Sequence, residues 1–286
     1  MPEEKDEHII EAIGRCRVVI RKGIVVEVGE RKIDTCPLAK RFAHPVPEIT
    51  KEAVKANIEH RIKAFGMCTP GREVLDTREF VGFGASEILS SALRSGTIDA
   101  VVLACDGAGT VIVTSPALMQ GIGGRMSGLV KTVPYPEVID RIEESGGIVI
   151  DKVHARLDQE AGVRLAYERG FGKVAVTVAL PAEAEKIRIQ YPDTLVFGVH
   201  VTGLTAHEAG VLASASDLVT SCASKTLRDV AGRNALVQAG TAIPIFAMTQ
   251  KGKDIILEKI SRSREQVLIK TMRLPALGDQ QPDPLV

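Results

Sequence analysis

Tryptophan is absent from this chain, and seven phenylalanines with three tyrosines are the only other aromatic side chains of that class among 286 residues. So few flat faces exclude the base-stacking platforms on which single-stranded nucleic acid binding rests. A surplus of either charge is missing too. The 36 basic side chains balance 36 acidic ones, so no overall field draws the protein to a polyanion or an anionic membrane surface. No run of eighteen apolar residues occurs, and the opening MPEEKDEHIIEAIG is acidic where a secretory leader would be basic and then apolar. These absences lead us to expect a cytoplasmic protein with no membrane anchor and no nucleic-acid partner.

Nucleotide-binding signatures are missing as well. The chain has no Gly-Lys-Ser/Thr ending of a phosphate-binding loop, and Gly121-Ile122-Gly123-Gly124-Arg125-Met126 carries methionine where a dinucleotide fingerprint needs its third glycine. Cysteine is present without a framework. Cys16, Cys36, Cys68, Cys105 and Cys222 are odd in number and scattered, which argues against a disulfide scaffold and makes reduced thiols the default.

What is present is an ordinary supply of core. Hydrophobic residues make up 45% of the chain. RVVIRKGIVVEVGE reads as two β-branched strands joined through Lys22-Gly23, an N-terminal hairpin. Thr50 is placed to cap a helix with Val54, Ile58, Ile62 and Phe65 on one face and Gly66 at its end, and a second helix spans 86–94. Short apolar runs without alternation then recur at 98–105, 147–151, 173–179, 194–201, 217–222 and 242–248, as strands buried on both faces require. Helical patterns follow near 137–145, 157–169, 182–190, 205–213, 224–237 and 250–262. The alternation predicts an α/β fold, a three-layer α/β/α sandwich around a mostly parallel sheet, preceded by the N-terminal β-hairpin and helix. It divides the chain into a hairpin and helix region with three cysteines (1–80), the sandwich (81–265) and a C-terminal extension (266–286).

In an open parallel sheet, ligands bind beyond the carboxyl ends of the strands. Cys105 and Asp106 end the first predicted strand of that array, His200 the fourth and Cys222 the fifth. Parallel strands would gather these thiols, carboxylate and imidazole on one edge, which makes them the candidate catalytic residues. The plainer reading is a buried thiol beside a turn aspartate, a core histidine, and a small residue before a helix cap. Six glycines fall between 105 and 128. Gly107, Gly109, Gly121, Gly123 and Gly124, with Arg125 and Ser127, are candidate binding residues if successive amide groups form a flexible loop that holds an anionic small molecule. The alternative is a close-packed crossover that uses glycine only for backbone contact. Cys16, Cys36 and Cys68 are a candidate ligand set for a metal such as zinc or for an iron–sulfur cluster, with His44 or an open position completing it. Their spacing matches no paired-cysteine motif.

The segments CRVVIRKGIVVEVGE, FGMCTP, CDGAGTVIVTSP and QGIGGRMSGLV, in this order, resemble the archaeal family called methanogenesis marker protein 8, over Ile9 to Leu257. The resemblance implies methane metabolism, an anaerobic cytoplasm, and an accessory part in the maturation or activation of methyl-coenzyme M reductase or its cofactors. Protein partners from that reductase system are expected with it. It carries no catalytic residue over to this chain. The competing expectation is a cytoplasmic α/β enzyme of cofactor metabolism, with an anionic substrate on the 121–128 segment and chemistry at Cys105, Asp106, His200 or Cys222.

Overall fold

The computed structural model describes residues 6–37, 39, 42–126 and 128–276. Ser127, one of the candidate binding residues, lies outside them. Strands β1 (His8–Glu11), β2 (Arg17–Arg21) and β3 (Ile24–Val28) pair antiparallel in succession. Lys22 and Gly23 supply the two positive φ values, +50° and +70°, that the tight β2–β3 connection needs. The fourth strand of this sheet, β6 (Gly128–Lys131), pairs with β1 from more than a hundred residues away. Helix α1 (Lys51–Phe65) covers the sheet: Thr50 accepts the Ala53 N–H, and Gly66 ends the helix at φ +73°. Val54 and Ile58 then bury against Ile10, Val18 and Ile20.

The larger sheet has eight strands: β4 (Ala100–Cys105), β5 (Gly109–Val113), β7 (Ile148–Val149), β8 (Val174–Val178), β9 (Leu195–Gly198), β10 (Leu218–Thr220), β11 (Val237–Ala239) and β12 (Ile245–Ala247), in the order β11-β12-β10-β9-β8-β4-β5-β7. Strands β4, β8, β9 and β10 run parallel to one another. Strands β5, β7, β11 and β12 each pair antiparallel to their neighbours. The sheet is therefore mixed, with the expected parallel arrangement in its four central strands and antiparallel pairing at both flanks. The reason is connection length, since a parallel return needs a dozen or more residues while a short link must reverse direction. Only Asp106, Gly107 and Ala108 separate β4 from β5, with φ +86° at Gly107 and +75° at Gly109. The GAGT stretch, which the sequence offers as a turn after Asp106, forms the turn of this hairpin and the start of β5.

Helix α3 (Pro116–Gly123) replaces the expected flexible loop at 121–124. Ser115 accepts the Leu118 N–H and Pro116 occupies the first turn, a start signal that the glycines behind it obscured. Helix α8 (Lys225–Asn234) ends earlier than expected and β11 follows it. Two apolar clusters divide the large sheet. Val101, Leu103 and Cys105 share one with α2 (Ala85–Ser95), α3, α4 (Pro136–Glu144) and α9 (Gln250–Arg262). Ala100, Val102 and Val176 share the other with α5 (Gln159–Glu168), α6 (Pro181–Gln190), α7 (Ala206–Ala215) and α8. Adjacent β4 residues alternate between the clusters, as the two-residue period of a strand dictates. Among the described residues no helix is long and apolar enough to cross a membrane.

Candidate functional site

Because β4, β8, β9 and β10 are parallel, Cys105, His200 and Cys222 stand at or just beyond the same edge of the large sheet. They differ sharply in access. Cys105 and Asp106 are buried, Cys222 is partly covered and His200 is exposed.

Asp106 is the centre of the buried part. Its Oδ1 accepts from Arg72 Nε at 2.9 Å and its Oδ2 from the Cys68 backbone N–H at 2.6 Å. Burial works against the carboxylate, but the Arg72 charge and the Cys68 N–H outweigh it and hold the carboxyl below its ordinary range. Arg72 is itself 0% exposed. Besides Asp106 it donates to the carbonyls of Gly121 at 3.2 Å and Ile122 at 3.5 Å, at the negative end of α3. Its guanidinium lies 5.1 Å from the Phe65 ring, which Arg125 and Arg61 also approach at 5.0 and 5.7 Å. The Arg72 side chain thus ties the α1 end, the β4–β5 turn and the α3 terminus into one knot.

A second polar chain adjoins it. Gly107 N–H donates to Thr132 Oγ1 at 2.8 Å, and Thr132 Oγ1 lies 2.8 Å from His8 Nδ1. His8 Nε2 lies 2.9 Å from the Tyr135 hydroxyl, which donates to Asp6 at 2.6 Å. Since the tyrosine proton goes to Asp6, His8 carries its hydrogen on Nε2 and accepts the threonine hydroxyl at Nδ1. Burial holds the His8 imidazolium down.

The thiols at this edge are protonated. Burial, with the Asp106 charge, pushes Cys105 up to about 12 and Cys68 well above its ordinary range. Burial also raises Cys222, although the Val201 and His200 backbone N–H groups point at its sulfur. Desolvation therefore outweighs those N–H groups and works against a thiolate nucleophile at Cys222. His200 is crowded enough, with Arg61 nearby, to hold its ring below the ordinary range, although solvent at the exposed ring limits that depression. The N-terminal sheet closes over this edge: a Cβ on Gly128 would stand 3.8 Å from His200 Nδ1, and the Arg15 guanidinium lies directly against Gly203.

The glycine-rich stretch has a packing role. A Cβ on Gly121 would fall 2.2 Å from the Val74 carbonyl oxygen and one on Gly109 2.3 Å from Ala155 carbonyl carbon, so backbone passes over backbone at both. Gly123 and Gly124 close α3, and Gly107 turns the β4–β5 hairpin. Arg125, expected to meet an anion, pairs with Asp76 at 2.6 Å and Glu73 at 3.1 Å.

Cys16 and Cys68 are buried within the core of the N-terminal sheet and Cys36 packs partly against it. Among the described residues no group of three His, Cys, Asp or Glu side chains is placed to hold a metal ion. Sequence reading missed Arg72 and Asp76, and placed Phe65 only on a helix face. The one available signal was electrostatic: an aspartate ending an apolar strand needs a buried counter-ion, and Arg72 lies four residues after the FGMCTP cysteine.

A family model described as an uncharacterized protein conserved in archaea (DUF2099) matches residues 8–261, a span that takes in both polar chains except Asp6. The chain belongs to this family. It is also 46% identical over 284 residues, 98% of this chain and 100% of the relative, to "Uncharacterized protein MJ0054" of Methanocaldococcus jannaschii. No solved structure matches it. The family span starts at His8, the first residue of β1, and ends within α9, so DUF2099 takes in both sheets.

Proposed function

We propose that this protein is an accessory factor of methane metabolism, a member of the methanogenesis marker protein 8 group, that serves methyl-coenzyme M reductase or its cofactors by binding rather than by thiolate chemistry. The observation that carries the binding half is the Arg72–Asp106 pair: the carboxylate that ends β4 is consumed by a guanidinium and an N–H, beside thiols held protonated. The metabolic half rests on the segments that resemble that group and on membership of an archaeal family. A cytoplasmic location and protein partners from the reductase system follow from the same reading. The helices on both faces of the large sheet support an α/β/α sandwich as its architecture, and the β2–β3 pairing supports an N-terminal hairpin.

Deleting the gene in a methanogenic archaeon and measuring active methyl-coenzyme M reductase tests both halves. Activity falls, and both Cys105→Ser and Cys222→Ser chains restore it as the wild type does. Unchanged reductase activity in the deletion strain rejects the accessory role. Failure of a folded Cys222→Ser chain to restore activity rejects binding without thiol chemistry.

A second reading, an enzyme acting on an anionic small molecule, is favoured by one feature. His200 and Cys222, beyond the ends of neighbouring parallel strands, hold φ at +54° and +44°, a conformation non-glycine residues keep only where their surroundings impose it. Turnover of such a substrate that disappears in His200→Ala would decide for it.

A further inference from the structure

Helix α2 ends just before β4 begins, and α3 begins just after the antiparallel β5 ends, so the α2 C-terminus and the α3 N-terminus lie at the sheet edge opposite His200 and Cys222. There they and the 77–79 segment enclose a cavity of about 240 Å³ whose polar lining is Thr77, Glu79, Ser90, Arg94, Ser115 and Gln120. Gln120 is 2% exposed. Its Nε2 donates to Glu87 Oε1 at 3.0 Å, which sets the orientation of the amide, because a carboxylate accepts and does not donate. Gln120 Oε1 is left buried with no hydrogen-bond partner among the described residues. A buried acceptor without a donor is costly, and here it belongs to a side chain that lines a cavity.

The other lining groups define what would satisfy it. Ser90 donates its hydroxyl proton to the Pro116 carbonyl at 3.1 Å, so its remaining capacity is as an acceptor. Glu79 is matched by Lys259 at 2.6 Å, whereas Arg94 has no ion pair among the described residues. The cavity therefore keeps one unbalanced positive charge. At the start of α3, Pro116 has no N–H, and Ser115 takes the N–H groups of Leu118 at 3.2 Å and Met119 at 3.1 Å. The Ala117 N–H is open among the described residues. One guanidinium fork and one N–H suit a planar carboxylate, whereas a phosphate presents three oxygens to satisfy.

We propose that this cavity binds a small carboxylate bearing a hydroxyl or ammonium group, the size of an α-hydroxy or α-amino acid. Its carboxylate meets Arg94 and the Ala117 N–H, and its donor meets Gln120 Oε1 and Ser90 Oγ. The volume lies below the roughly 300–1,000 Å³ of pockets for drug-sized molecules, which matches a ligand of this size.

Calorimetric titration of the full chain with lactate, serine, propionate, lactamide and inorganic phosphate tests the assignment. Lactate or serine binds, and lactate, which carries no ammonium, binding as tightly as serine identifies the hydroxyl as a sufficient donor. Propionate, which lacks the donor, and lactamide, which lacks the charge, bind at least about ten-fold more weakly. Arg94→Ala weakens the preferred ligand roughly ten- to hundred-fold, and Arg94→Lys by less, with the thermal midpoint of the unliganded chain unchanged because Arg94 is exposed. No binding of lactate or serine, equal binding of propionate, preference for phosphate, or an affinity indifferent to Arg94→Ala overturns the proposal. His200→Ala leaves the titration unchanged, so this result and the reading of the opposite edge stand or fall separately.

Discussion

Arg72 and Asp106 have no solvent to fall back on, and this makes them unequal partners under mutation. Removing one leaves the other charged and buried, so Asp106→Asn or Arg72→Leu costs about 3–5 kcal/mol in urea unfolding, while the double apolar replacement Asp106→Leu with Arg72→Met costs less than either single change. His8 responds to pH in a separate window. Its folded-state affinity for protons lies below the ordinary 6.5, so the unfolded chain protonates first. Its contribution is complete above that value and declines as pH falls through it. The urea midpoint therefore drops as pH falls through 6.5, and His8→Gln flattens that part of the profile. Asp106, held low instead of raised, loses its contribution only further down, as pH falls through its folded-state value. The thiols offer a direct check on burial. An alkylating reagent leaves Cys16, Cys68 and Cys105 unlabelled in the native chain and modifies all three in urea.

Among the elements, α3 and α7 show how the same residue type carries opposite meanings. At Gly121 in α3, an added methyl would run into the Val74 and Leu75 backbone, so Gly121→Ala destabilises by about 1–3 kcal/mol. Gly210 in α7 has open space where its Cβ would be, and Gly210→Ala stabilises by about 0.5–1 kcal/mol through helix propensity alone. Thermal unfolding of the two variants against the parent chain separates these outcomes. The β4–β5 hairpin was hard to read for a related reason. Its glycines announce a turn, but a turn and a binding loop share composition, and the TVIV run behind it is short enough to pass as loop. Helix α1 was legible in full because Thr50, the apolar face and Gly66 all lie within one local window.

At the scale of the whole molecule, two sheets share one junction. Strand β6 leaves the α/β part to pair with β1, and Arg15, Arg72 and Tyr135 cross from one part to the other. The C-terminal segment is attached differently. After α9 it runs exposed through Leu268 and Ile269, then Pro275 packs on Gly232 and the Ala276 N–H donates to Gln238 at 2.8 Å. Limited trypsin digestion cuts first at Arg264, Lys270 or Arg273, within a stretch that buries no backbone in a core.

By itself the sequence determined what depends on neighbours in the chain: helix caps, strands of unbroken apolar residues, and a small supply of aromatics. It also placed Cys105, His200 and Cys222 at strand ends. Which way those strands run, and whether each end meets solvent or a counter-ion, depended on residues far apart in the chain. Only the fold set Arg72 on Asp106, turned the supposed anion loop into a helix beneath the Val74 backbone, and left Gln120 facing a cavity without a donor. The physical reason is that burial and pairing are properties of three-dimensional surroundings, and those decide whether a thiol, an acid or an amide is reactive, silent or waiting for a ligand.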